Sequence, residues 1–149
     1  MPFPSGLGES VIFLFKKIKA MKFTLEQITE AQRKSTNFPL FIQNLRILGV
    51  ADFVTSVSDG YTDYFDMDKE SINSEPTHDF LVAEKADRAK FLKCLKLHQS
   101  GATDFTEFCK DCAENGIDCW IVDLRKMTCI YYDKTGQEIL VEKIPSASY

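Results

Sequence analysis

A chain of 149 residues that is 44% hydrophobic and carries twelve Phe has enough apolar material to close one core, which excludes an intrinsically disordered protein. Its formal charge of -4 excludes nucleic acid as the main partner, because phosphate binding needs a net basic face and the lysines here are interspersed with acids. The longest apolar run, Val11 to Phe15, is far shorter than the ~20 residues of a membrane span. That run also lacks a preceding basic region and a small-residue cleavage site, so the chain reads as cytoplasmic and its five Cys as reduced thiols.

Residues 1–20 contain Pro2, Pro4, Gly6 and Gly8 and read as a flexible N-terminal extension, in which Val11 to Ile18 can form at most a short amphipathic turn. Residues 21–149 are expected to form a single domain. Leu25, Ile28 and Ala31 lie at helical spacing behind Thr24, an N-cap residue. A second helix starts at Asn37, with Pro39 tolerated in its first turn, carries the stripe Phe38, Phe41, Ile42, Leu45 and Leu48, and stops at Gly49. Strands follow at Asp52 to Val57 and Tyr61 to Asp66, joined near Asp59-Gly60, a tight-turn signal. Residues Asp66 to Asp79 read as an irregular link holding a short strand near Ile72.

The order then recurs. Asp79 to Ala83 reads as a short strand, Ala86 to Gln99 as a helix ended by Gly101, and Asp104 to Asn115 as a helix ended by Gly116. Strands are expected at Cys119 to Leu124, Met127 to Tyr132 and Gln137 to Ile144. Residues 36–66 can be laid on 103–133 without a gap: Thr36, Phe38, Phe41, Gly49 and Asp66 meet Thr103, Phe105, Phe108, Gly116 and Asp133, and Phe53 meets Trp120. Two copies, about 24–72 and 91–139, imply an α+β fold built by internal duplication of a helix-helix-strand-strand(-strand) unit. Its sheet is mainly antiparallel with helices on one face.

Few residues offer chemistry. Cys109 and Cys112 have the C-x-x-C spacing of redox and zinc sites, yet they continue an apolar helix face with Phe105, Phe108 and Ala113 and stand where the first copy has Ile42 and Leu45. A zinc site needs two more ligands from Cys94, His98, Cys119 or Cys129, and no second closely spaced pair supplies them. The expectation is no metal and no cofactor. His98 breaks the internal symmetry, since its counterpart is Ala31; it is the candidate acid/base, against the alternative that a His near a helix C-terminus only bonds a backbone carbonyl. Asp123 and Asp59 are candidate orienting carboxylates. Tyr64, Trp120, Thr128 and Tyr131 are candidate binding residues, although aromatic side chains in strands are expected on propensity alone.

The run Leu97 to Phe105 with Phe108-Cys109, followed by Gly116-Ile117, Trp120, Val122-Asp123, Met127-Thr128-Cys129 and Tyr131-Tyr132-Asp133, resembles the YbcV-like family of small bacterial and prophage proteins. Val57 to Gly60 and Tyr64 fit it too, and the resemblance covers roughly residues 25–145. It implies an uncharacterised, phage-associated protein, sometimes labelled a phage envelope protein, without an established activity. Cys112 and Cys119 lie outside the family's pattern, which counts again against a metal. The leading expectation is a non-enzymatic module that binds a protein partner or itself as a homodimer, through a helix-free sheet face carrying Ile121 and either Ile130 or Tyr131. The alternative is a small enzyme or ligand-binding protein with a cleft at the pseudo-dyad that uses His98.

Overall fold

The computed structural model describes residues 22–147, so the N-terminal extension expected at residues 1–20 lies outside the described residues. Among the described residues, four helices form where capping residues precede apolar stripes. Thr24 and Gln27 make a reciprocal capping box for α1 (Leu25–Lys34), and Asn37 accepts the Leu40 N–H at 2.9 Å at the start of α2 (Phe38–Leu48). Asp87 caps α3 (Arg88–Gln99), and Asp104 with Glu107 forms a second capping box for α4 (Phe105–Glu114). No helix among the described residues is long and apolar enough to cross a membrane.

Six strands complete the fold: β1 (Asp52–Ser56), β2 (Thr62–Phe65), β3 (Ser71–Asn73), β4 (Cys119–Asp123), β5 (Thr128–Tyr132) and β6 (Glu138–Lys143). They form one antiparallel sheet in the order β3-β2-β1-β4-β5-β6. The helix-helix-strand order thus appears twice, and the sheet order reads outward symmetrically from β1 and β4. Asp52 pairs with Phe65 and Cys119 with Tyr132, the same register displaced by 67 residues (Asp52 to Cys119). At the junction, Val54 faces Ile121, again 67 residues away, so an approximate two-fold relation between the hairpins runs through this pair, normal to the sheet.

The outer strands of the halves differ in register. Tyr132 pairs with Glu138 as Phe65 pairs with Ser71, but a bulge at Tyr131/Tyr132 moves the rest of β6 by one residue, so that Tyr131 faces Leu140 and Ile130 faces Val141. The β2–β3 and β5–β6 turns are each held by an aspartate. Asp66 accepts the N–H groups of Asp68 and Glu70, and Asp133 those of Thr135 and Gln137.

The helices cover the face carrying Phe53, Thr55, Tyr64, Trp120, Val122, Cys129 and Tyr131, which joins Ile28, Ile42, Leu45, Phe91, Phe108, Cys109 and Cys112 in a single core. The strand expected at residues 79–83 is absent. This segment has no regular structure and crosses the end of the sheet: the Phe80 N–H donates to the Ser58 carbonyl and that of Ala83 to the Ala113 carbonyl. Such isolated bonds to a turn and a helix end leave it no neighbouring strand to ladder with.

Candidate functional site

His98 sits in the last turn of α3. Its Nδ1 lies 3.0 Å from the Thr103 carbonyl and 3.1 Å from Thr103 Oγ1, and the ring stacks on Phe108 with centroids 4.3 Å apart and planes 8° from parallel. A carbonyl only accepts, so Nδ1 carries the proton in that bond and Nε2 holds the lone pair of the neutral ring. The bond and the stack fasten the α3–α4 connection, which turns at Gly101 with φ +86°.

The two carboxylates expected to orient His98 are engaged elsewhere. Asp123 accepts the N–H groups of Arg125 and Lys126 at 2.9 and 3.0 Å; burial works against its ionisation, but these bonds and the two cations hold it below the usual carboxylate range. Asp59 accepts the Tyr61 N–H at 3.0 Å. Nothing among the described residues joins either carboxylate to His98 by a hydrogen bond or an ion pair, so its surroundings are those of a fastening residue. Replacing His98 with Ala is expected to cost about 1–2 kcal/mol for the bond and the stack, seen as a melting temperature lower by about 2–8 °C. An unchanged melt would mean that the ring fastens nothing.

The second histidine escapes a reading of the sequence because it lies in the irregular link, without periodicity or motif. His78 Nε2 is 2.8 Å from the Val57 carbonyl and Nδ1 is 3.0 Å from Thr77 Oγ1. The carbonyl only accepts, so Nε2 donates to it, and in the neutral ring Nδ1 is left to accept from the Thr77 hydroxyl, the opposite tautomer to His98. It stacks on Phe80 at 4.3 Å and meets Phe105 at 6.3 Å. Phe105 touches Trp120, Trp120 touches Phe108 and Phe108 carries His98, so both histidines end one chain of rings that ties the link to the second helical pair.

Three of the four candidate binding residues lie in the core. Tyr64, Trp120 and Tyr131 all face the helices and are buried. Burial pushes the Tyr64 hydroxyl up to about 12 and that of Tyr131 upward as well, with Cys129 and Glu142 adding to the latter. Thr128 alone lies on the opposite face. Cys109 and Cys112 are fully buried on the α4 stripe; burial raises the Cys109 thiol to about 12 and raises Cys112 too. Among the described residues, no group of three or more His, Cys, Asp or Glu is placed to hold a metal ion. One surface groove of about 380 Å³ lies between α1 and α2, and another of about 480 Å³ lies between residues 84–88 and the β5–β6 turn. Neither contains His98.

The helix-free face of the sheet is the most organised surface. Strand alternation and register place Val54, Ile121, Ile130 and Val141 side by side across β1, β4, β5 and β6. Val141 is 51% exposed and the other three are half-buried. Tyr131, the other option for this face, turns to the core, because the residues opposite the buried Cys129 and Val122 are fixed by the same alternation. A polar row runs along each side of the apolar one. Asp52, Asp123, Thr128 and Lys143 form the first; Ser56, Cys119, Tyr132 and Glu138 form the second. Asp63 ends the apolar row on the β2 side. Asp52 and Asp123 face each other directly and share Arg125, at 3.8 and 3.7 Å. Burial outweighs the pull of Arg125 and pushes the Asp52 carboxyl up, and Asp123 adds to the shift.

These features define an α+β protein with a two-fold-related, six-stranded antiparallel sheet, covered by helices on one face and marked by an apolar row on the other. The chain belongs to the family of proteins of unknown function designated DUF1398, whose profile matches residues 26–143. No curated protein matches the chain.

Proposed function

We propose that this protein is a non-enzymatic association module that works through the helix-free face of its sheet. The observation that carries this reading is the apolar row Val54–Ile121–Ile130–Val141, which crosses four neighbouring strands without a covering element among the described residues. Exposed apolar side chains scattered singly are ordinary on protein surfaces, but a contiguous row rimmed by polar residues is the pattern of a contact surface. Enzymatic chemistry has weaker support, because His98 is spent on Thr103 and Phe108 and its supposed carboxylates close turns elsewhere. The phage-associated origin implied by the YbcV-like resemblance, and a cytoplasmic setting, belong to the same reading.

Cys119 lies on this face opposite Tyr132, whereas Cys109, Cys112 and Cys129 are buried beneath the helices. Alkylation mapped peptide by peptide should therefore be slow at the three buried thiols at every protein concentration. At Cys119 it should slow as the protein is taken from micromolar to millimolar. A Cys119 rate independent of concentration would count against association through this face.

A further inference from the structure

We infer that the face takes a second copy of this chain, related by a two-fold axis parallel to the strands and lying between β4 and β5. This inference rests on the association reading above and adds the partner and its orientation. A face-to-face pair of identical sheets has its axis in the plane of contact, so the two limiting choices are along the strands or along the apolar row. The charges on the face separate them.

With the axis along the strands, Val54 lies over the partner's Val141 and Ile121 over the partner's Ile130, which closes the apolar row on itself. In the polar row beside it, Asp52 lies over the partner's Lys143, and Asp123 over the partner's Thr128. Both contacts occur twice. Asp63 falls outside the overlap, since among the described residues no strand lies beyond the edge strand β6 to meet β2. With the axis along the row, by contrast, Asp63 would lie over the partner's Asp63, and like charges brought together across an interface are unfavourable.

The free chain is also poised for this pairing. Asp52 and Asp123 share the guanidinium of Arg125, and Asp123 also accepts two backbone N–H groups beside Lys126, whereas Asp52 has only the long contact to Arg125 and the field of Lys69. Lys143, on the outer strand of the same row, has no ion-pair partner among the described residues. A neighbouring copy gives Asp52 a further cation, and gives Lys143 the carboxylate that the described residues of its own chain do not pair with it.

The contact is small. Four strands at ~4.8 Å spacing and about five residues of length give on the order of 300 Å² per partner, under half of a standard interface. The dimer is therefore expected to be weak, with dissociation in the micromolar to millimolar range, and its formation should be sensitive to single charges.

The test uses two variants of the full chain, Asp52→Lys and Lys143→Asp, studied apart and mixed. Alone, each variant sets like charges over one another at both symmetric contacts, and each should associate roughly tenfold or more weakly than the wild type in sedimentation velocity. Mixed in equal amounts, they place the ammonium introduced on β1 of one chain over the carboxylate introduced on β6 of the other. The second contact retains the native Lys143 over the native Asp52, so association should return to within about threefold of the wild type. Because each variant is measured in the mixture as well as alone, recovery also proves both folded. A wild type that dimerises, with a mixture that remains as weak as its components, would overturn the orientation and leave the association reading standing. A wild-type chain that stays monomeric into the millimolar range would overturn both.

Discussion

Gly116→Ala is expected to lower the stability of the protein by about 2–5 kcal/mol. The residue follows α4 with φ +78°, a backbone conformation that costs an L-residue roughly 1–2 kcal/mol. An added Cβ would stand 2.4 Å from the Lys85 carbonyl oxygen and 2.6 Å from the Ala86 Cα, both backbone atoms of the segment that crosses the end of the sheet. A flexible side chain could swing aside, but this segment is fixed on both sides, by the bond from Ala83 to the Ala113 carbonyl and by that from Asp87 to the Asn115 carbonyl. Overpacking of this kind adds about 1–3 kcal/mol. For a chain of this length the melting temperature should fall by about 4–20 °C. Gly136→Ala provides the comparison. Its φ is also left-handed, at +84°, but an added Cβ would meet nothing within 4 Å, so only the conformational cost of about 1–2 kcal/mol remains. Equal losses from the two substitutions in thermal melts would show that the close approach at Gly116 is not what makes glycine necessary there.

The helices and the inner strands were legible in the sequence because their signals are local. Thr24, Asn37 and Asp104 cap where capping residues are expected, and Asp104 even finds its partner three residues on at Glu107. The alternation of Phe53 with Thr55, and of Trp120 with Val122, identified the buried face. What failed to show was set by contacts distant in sequence. Residues 79–83 have strand-like composition, but a strand needs a neighbour, and the end of the sheet offers none. His78 is defined by a carbonyl 21 residues away, that of Val57.

The candidate face was half legible. Ile121 follows from the alternation around Trp120, whereas Cys129 to Tyr132 are all compatible with either face. Only the pairing of Ile121 with Ile130 assigns them. Val141 could not be assigned by period at all. The bulge at Tyr131/Tyr132 inserts a residue into the β6 register, and without it the side chains of β6 would exchange faces. The apolar row therefore depends on an irregularity that periodicity cannot reveal.

Ile121→Asp, read by sedimentation velocity from micromolar to millimolar protein, addresses the association face most directly. Ile121 lies within the row, paired with Val54 on one side and Ile130 on the other, and is half-buried in the free chain. Its replacement puts a charge into the centre of the contact, where desolvation in the associated state is greatest, but leaves the core beneath the helices untouched. Trp120, next in sequence and buried on the opposite face, reports by its fluorescence whether the variant remains folded. The expected result is a wild-type chain whose average mass rises with concentration, and a folded Ile121→Asp variant that sediments as a monomer throughout. A wild type that never exceeds the mass of one chain, or a folded variant that associates as strongly as the wild type, would contradict the assignment of this face.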